Sequence, residues 1–250
     1  MTREEFIREV TDGLTTPPAY FPLNVKMNKE GYKAIEDVLS GGMTPLTSAA
    51  GALVLDVRTQ EEYAEAHIPR SLFIGLDGKF APWVGELVAD VTHPIVLVAP
   101  PGKEEEAVTR LSRVGFDRTL GYLKGGIEAW KKAGKETDNL TCIKPQDFAE
   151  RYAQIKDRIF DVRRPGEYQS EHIVNAKSIP LAELHSRLSE LPDGKDFYLY
   201  CGTAYRSTIA SSVLKMRGIH NFVNVSGGFK AVKETPVPVT AYVCPSTLSA

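Results

Sequence analysis

The chain has 250 residues, 42% of them hydrophobic and 25% charged, which is enough for one large domain or two small ones around buried cores. Thirty Lys and Arg against thirty-two Asp and Glu leave a net charge of −2, so no general attraction draws it to nucleic acid or to an anionic membrane, and neither is expected as a partner. The longest apolar runs are strand-sized and fall well short of the roughly eighteen residues that a membrane span needs.

Taken in chain order, residues 1–45 come first. They open on MTREEFIREVTDGL, acidic where a secretion signal needs a basic start and an apolar stretch, which predicts cytoplasmic residence. A turn-forming TTPPAYFP follows from Thr15, then a predicted helix over 29–39 and a Gly41-Gly42 break. Short and poor in apolar residues, this segment is expected either to wrap the rest of the chain or to pack on a partner outside it.

From residue 46 onward the chain repeats itself at an offset of about 105 residues. The stretch LVLDVRTQEEYAEAHIPRS from Leu53 aligns with RIFDVRRPGEYQSEHIVNA from Arg158, placing Asp56, Arg58, Glu62, Tyr63 and His67 on Asp161, Arg163, Glu167, Tyr168 and His172. Further on, IVLVA ending at Ala99 matches FYLYC ending at Cys201, and Gly125-Gly126 matches Gly227-Gly228. Two units are therefore expected, over 46–138 and 139–250. In the second, strands are predicted over 158–162, 178–180, 197–201 and 222–225, and helices over 146–154, 181–188 and 205–217. The last helix should stop at Gly218. Strands alternating with helices predict an α/β architecture: a mostly parallel sheet in each unit, covered by helices on both faces, with functional loops at the carboxyl ends of the strands.

Cys201 stands at such an end, in YCGTAYRST. A thiol between a buried strand and a helix start meets the positive end of the helix dipole and unpaired backbone N–H groups, which favour thiolate over thiol. Arg206 adds a fixed positive charge. The small residues Gly202, Thr203 and Ala204 suit a tight loop whose amides, with those of Tyr205 and Arg206, converge on an anion above the sulfur. Ser207 lies in the first turn of the helix. The first unit carries no such centre: Ala99 replaces the cysteine, Glu104 replaces the arginine, and Pro100 and Pro101 remove backbone donors.

The remaining candidates read as structural. The Asp-x-Arg pairs and the histidines His67 and His172 recur in the unit that has no nucleophile, which assigns them to hydrogen-bonded corners. Of the three cysteines, Cys142 falls between the units and Cys244 in a Pro-rich tail; with no CxxC pair, free thiols and no structural zinc are expected. The Gly-Gly pairs do not form a GxGxxG and read as turns before a last helix.

On the two DVR motifs, the Glu-Tyr and His-Ile that follow each, the Gly-Gly pairs and the Cys201–Arg206 loop, the chain over 46–245 resembles tandem rhodanese-homology sulfurtransferases. That resemblance implies a catalytically silent first domain and an active second one, with Cys201 taking a sulfane sulfur as a persulfide, Arg206 stabilising it, and Gly202, Thr203, Ala204, Tyr205 and Ser207 lining the substrate. It implies no cofactor and no metal. The donor would be thiosulfate or a low-molecular-weight persulfide, and the acceptor a thiol or cyanide. Related phosphatases carry one more residue between Cys and Arg; the four here favour sulfur over phosphate. The third loop residue, commonly Gly in that family, is Ala204, which is strained if the loop needs φ > 0 there. A sulfur carrier with little turnover of its own is the alternative, and an arsenate reductase or phosphatase a more distant one. Residues 1–45 are similar to the end of metallo-β-lactamase-fold persulfide dioxygenases, some of which continue into rhodanese domains, which implies such a domain or subunit as a partner. The HxHxDH metal motif of those enzymes is missing.

Overall fold

Two four-residue apolar runs, Ile95–Val98 and Phe197–Tyr200, are buried at every position, as the central strand of a parallel sheet covered on both faces must be. Around them the computed structural model, which describes residues 1–11, 20–49 and 51–244, builds the same sheet twice. In the first unit β1 (Pro45–Leu46), β2 (Leu53–Asp56), β3 (Leu72–Phe73), β4 (Ile95–Val98) and β5 (Thr119–Leu123) lie in the order β1-β5-β4-β2-β3. In the second, β6 (Cys142–Ile143), β7 (Ile159–Asp161), β8 (Lys177–Ser178), β9 (Phe197–Tyr200) and β10 (Phe222–Val225) lie in the order β6-β10-β9-β7-β8. Every pairing is parallel. The α/β class expected from the alternation is the one observed.

The helices are α1 (Arg3–Thr11), α2 (Phe21–Glu30), α3 (Ile35–Gly42), α4 (Gln60–Glu65), α5 (Phe80–Leu87), α6 (Glu104–Ser112) and α7 (Gly126–Lys132), then α8 (Pro145–Ile155), α9 (Pro165–Ser170), α10 (Tyr205–Met216) and α11 (Gly228–Val232). Three sequence expectations are corrected. The helix over 29–39 is broken: α2 ends at Gly31, whose φ of +89° caps it by bonding back to Met27, and α3 starts afresh at Ile35. The helix over 181–188 is two 3-10 turns, Leu181–Ser186 and Leu188–Glu190, whose eclipsed i, i+3 spacing lets Leu181 and Leu184 be buried together. Cys142 is the first residue of β6 rather than part of a linker, although its side chain is exposed. The turn read from Thr15 lies largely outside the described residues.

The N-terminal segment wraps the first unit from Tyr20 onward. The Tyr20 ring covers Gly85, Leu23 and Met27 cover Gly115, Gly42 meets Val108, and β1 extends the first sheet beside β5. α1 buries nothing.

α10 joins the units. The spacing predicts one apolar face on Ile209, Val213 and Met216, but Ser207, Thr208, Ser211 and Ser212 are buried as well, because this helix also meets β3 of the first unit. Small hydroxyl side chains permit that approach. Ser211 and Ser212 donate to helix carbonyls, and Ser212 Oγ accepts the amide of Phe73 at 3.1 Å. One hydrophobic core runs through both units, from Phe73 and Phe80 to Phe160, Leu199 and Ile209.

A second tether carries a pH dependence. His67 is fully buried, stacks on the Tyr63 ring at 4.0 Å and donates from Nδ1 to the Tyr63 carbonyl. Its Nε2 faces Asp138 at 3.8 Å, and Asp138 is bound by Lys215 of α10 at 2.8 Å. Burial pulls the His67 pKa down to about 4, the backbone bond and Asp138 opposing it only in part. Because the folded value lies below the ordinary 6.5, the unfolded chain takes up a proton first, and stability should fall as the pH drops from 6.5 toward 4. The loss from this group should be on the order of 3 kcal/mol. Urea midpoints at pH 7 and pH 5 test this. His67→Gln should flatten the difference, and an equally steep profile in both proteins would assign the dependence elsewhere.

Candidate active site

β9 delivers Cys201 to the end of its sheet with 1% of its surface exposed. The chain then turns through Gly202 and Thr203 to Ala204, which caps α10 with φ +72° and ψ −12°, so the left-handed backbone that disfavours a Cβ is present. An L-residue other than Gly, Asn or Asp in that region costs roughly 1–2 kcal/mol. Ala204→Gly should therefore stabilise the fold by about 0.5–1 kcal/mol after the entropy of a new glycine is subtracted. A urea midpoint that does not rise would show the alanine to be relaxed.

The loop is held by its carbonyls from outside. Phe229 N–H of α11 donates to the Cys201 carbonyl at 2.6 Å and Lys230 N–H to that of Gly202 at 3.1 Å. Gln60 Nε2, from α4 of the first unit, donates to the Thr203 carbonyl at 3.0 Å, and Thr208 N–H to that of Ala204 at 2.9 Å. α11 comes this close because Gly228 has no Cβ; one there would stand 2.4 Å from the Cys201 carbonyl oxygen. With the carbonyls turned outward, no acceptor among the described residues takes a hydrogen bond from the amides of 202–206. Five backbone donors are thus left for an anion at the sulfur.

Arg206 completes the centre together with a residue the sequence did not single out. Its Nη1 donates to Glu167 Oε2 at 2.5 Å and its Nη2 to Oε1 at 2.8 Å. A Cβ on Gly202 would lie 3.4 Å from that Nη2, so the guanidinium folds back over the loop. Burial alone would lower the Arg206 pKa, but the hydrogen bonds and charge of Glu167, with Cys201 and Asp161 adding, raise it, so the cation is permanent. Burial would raise Glu167, but Arg206 and the Arg164 amide hold it below its ordinary value. In sequence Glu167 looked like half of a repeated Glu-Tyr corner. Its counterpart Glu62 has only that role, capping Thr59 at the start of α4, because Glu104 stands where an arginine would meet it.

The other candidates fall where the repeat placed them. Arg163 is spent on Asp161 (2.6 and 3.0 Å) and the Glu171 carbonyl, with its guanidinium 4.2 Å from the Phe229 ring centre. Arg58 is spent in the same way on Asp56 and the Ala66 carbonyl. His172 bonds the Tyr168 carbonyl at 2.7 Å and stacks on its ring, as His67 does on Tyr63. Ser207 points back to the Ala204 carbonyl at 3.1 Å and is fully buried, so it braces the helix start and does not line a substrate, contrary to the sequence expectation. Tyr205 turns away from the loop: its hydroxyl donates to the Gly75 carbonyl of the first unit at 2.7 Å and its ring packs on Gly75 and Gly78. Beside it a cleft of about 580 Å3 opens between the units, reached by Thr203, Tyr205 and Arg206.

A family model, the rhodanese-like domain, matches residues 26–133 and again 144–235. The chain belongs to the rhodanese-like family. Among its relatives, the uncharacterized protein YqhL of Bacillus subtilis is 40% identical over 75 residues, a match that takes in 30% of this chain and 60% of YqhL. The putative sulfur carrier protein YrkF of the same organism is 30% identical over 105 residues, 40% of this chain and 57% of YrkF. Both matches span less than two thirds of the relative. Thiosulfate sulfurtransferase PspE of Escherichia coli is 36% identical over 74 residues, 29% of this chain and 70% of PspE. No helix among the described residues of this rhodanese-like protein is long and apolar enough to cross a membrane.

Proposed function

We propose that this rhodanese-like protein is a sulfurtransferase, cytoplasmic, in which Cys201 carries a sulfane sulfur from thiosulfate or a low-molecular-weight persulfide to a thiol or cyanide. The observation that carries this reading is the loop itself: carbonyls of 201–204 bound from outside and amides of 202–206 left for an anion beside a permanent Arg206 cation. The Cys201 thiolate attacks the outer sulfur of thiosulfate, the S–S bond breaks, and sulfite leaves with the bonding pair. The sulfur stays as Cys201–S–S⁻, stabilised by those amides and by the guanidinium that Glu167 orients. A thiolate or cyanide then attacks that outer sulfur and the cysteine thiolate is restored. Neither half-reaction needs a cofactor or a metal, and the order of events makes the kinetics ping-pong.

The 1% exposure of Cys201 also suits a sulfur carrier that yields its cargo only to a docked partner, as the name of YrkF suggests for that protein, and a persulfide dioxygenase domain or subunit would be such a partner. Mass spectrometry after incubation with thiosulfate or glutathione persulfide tests both readings. A gain of one sulfur mapped to Cys201 is expected, and no adduct with either donor would overturn them. Thiocyanate or hydrogen sulfide released over many turnovers then selects the enzyme over the carrier.

A further inference from the structure

Three of the four loop carbonyls are held from within the second unit: that of Cys201 by the Phe229 amide, that of Gly202 by the Lys230 amide and that of Ala204 by the Thr208 amide. The fourth is not. Among the described residues the Thr203 carbonyl receives one hydrogen bond, at 3.0 Å from Gln60 Nε2, and Gln60 opens α4 of the first unit. That carbonyl shares its peptide plane with the Ala204 amide, and a trans peptide points the two in opposite directions. With the carbonyl held outward, the amide stays among the five donors for the anion. Turning the plane over would remove a donor and aim a carbonyl dipole at the sulfur instead.

Ala204 itself favours that turnover. Its φ of +72° and ψ of −12° are the values that a type II turn requires of its third residue, where glycine is preferred. Rotating the plane changes ψ of Thr203 and φ of Ala204, and carries Ala204 to the negative φ of a type I turn, which accepts alanine. The first unit supplies the comparison. In place of Thr203 and Ala204 it has Pro101 and Gly102. The Pro101 carbonyl receives no hydrogen bond among the described residues, and Gly102 takes the left-handed backbone, φ +81°, with nothing within 4 Å of where a Cβ would stand. Glycine is therefore there for its backbone and not for want of space. Where the carbonyl is unheld the next residue is glycine; where the next residue is alanine, a side chain from the other unit holds the carbonyl.

We propose that Gln60 is a positioning residue of the sulfur-transfer site, and that through it the first unit, which has no nucleophile of its own, keeps the Thr203–Ala204 peptide in the orientation that binds the anion. The proposal rests on the sulfur-transfer reading of Cys201 and gives the first unit a part in that reaction. Tyr205, whose hydroxyl donates to the Gly75 carbonyl of the same unit, anchors the residue that follows.

The test is a double-mutant cycle in the full chain, read as kcat/KM for sulfur transfer from thiosulfate to cyanide. Gln60→Met keeps the length and helix propensity of the side chain and removes the donor. It should lower kcat/KM about three- to tenfold, the scale of one hydrogen bond. The same substitution in an Ala204→Gly background should cost less than about twofold, because glycine removes the preference for the turned-over plane. A merely structural contact between the units would cost the same in both backgrounds. Urea titration of each protein checks that it is folded. No loss in Gln60→Met, or an equal loss in both backgrounds while sulfur still loads on Cys201, would overturn the positioning role alone. Failure of the unsubstituted protein to take up sulfur from thiosulfate or glutathione persulfide would overturn the sulfur-transfer reading and this proposal with it.

Discussion

Cys201→Ser should abolish sulfur loading from every donor and lower turnover by at least about a thousandfold, the usual scale when a covalent nucleophile is removed. The reason is chemical and not steric. Serine is nearly the same size, but an alkoxide does not hold sulfane sulfur, and the amides of 202–206 cannot supply the missing polarizable nucleophile. The fold should survive. Cys201 is buried at the end of β9, but its backbone is fixed by the carbonyl bond to Phe229 and not by its side chain, so the unfolding free energy from urea titration should change by no more than about 1 kcal/mol. Mass spectrometry of the intact variant after donor treatment is the check. Sulfur retained on the variant would place the carrier at Cys142 or Cys244 and dismantle the mechanism.

The second large effect is expected at Gly228, where the repeat supplies its own control. Gly126 and Gly228 occupy equivalent places at the start of α7 and α11 and share a φ of +60°. A Cβ at 126 would meet nothing within 4 Å, because there the equivalent of the loop leaves a cavity of about 370 Å3 lined by Ala99, Pro100 and Glu104. A Cβ at 228 would stand 2.4 Å from the Cys201 carbonyl oxygen and 2.9 Å from the Ala204 nitrogen, both rigid backbone atoms. Gly126→Ala should therefore cost only the left-handed backbone term, about 1–2 kcal/mol. Gly228→Ala should cost that plus the displacement of α11 from the loop, about 3 kcal/mol or more in all, and should reduce turnover about 10- to 100-fold by loosening the outward-held carbonyls. Denaturant midpoints of the two variants side by side decide it; equal costs would mean that α11 does not set the loop.

These two positions mark how far the sequence carried. Cys201, its four-residue spacing to Arg206 and the helix start behind it are contiguous, and contiguous features follow from local rules of strand, turn and dipole. The repeat made the Asp-x-Arg corners legible as structure, because they recur where no nucleophile exists, and the buried Asp56–Arg58 and Asp161–Arg163 pairs have that geometry. Ser207 was misplaced as a substrate contact, and Tyr205 lines the cleft while its hydroxyl is spent on Gly75, since adjacency to the loop does not fix where a side chain points. α10 is buried on several sides, so its first turn faces inward at Ser207 and toward the other unit at Tyr205. Glu167 went unnoticed as the partner of Arg206 because the two are 39 residues apart and Glu167 also serves the corner shared by both units.

A repeat and a motif, each readable along the chain, were enough to establish a doubled α/β unit with a cysteine-to-arginine loop in the second copy alone. What surrounds Cys201 came from packing between distant parts of the chain. Gly228 packs against the loop, Gln60 reaches across from the first unit to the Thr203 carbonyl, and the cleft has walls from both halves. Such contacts depend on how two sheets pack about α10, and packing joins residues far apart in the chain that no local periodicity relates.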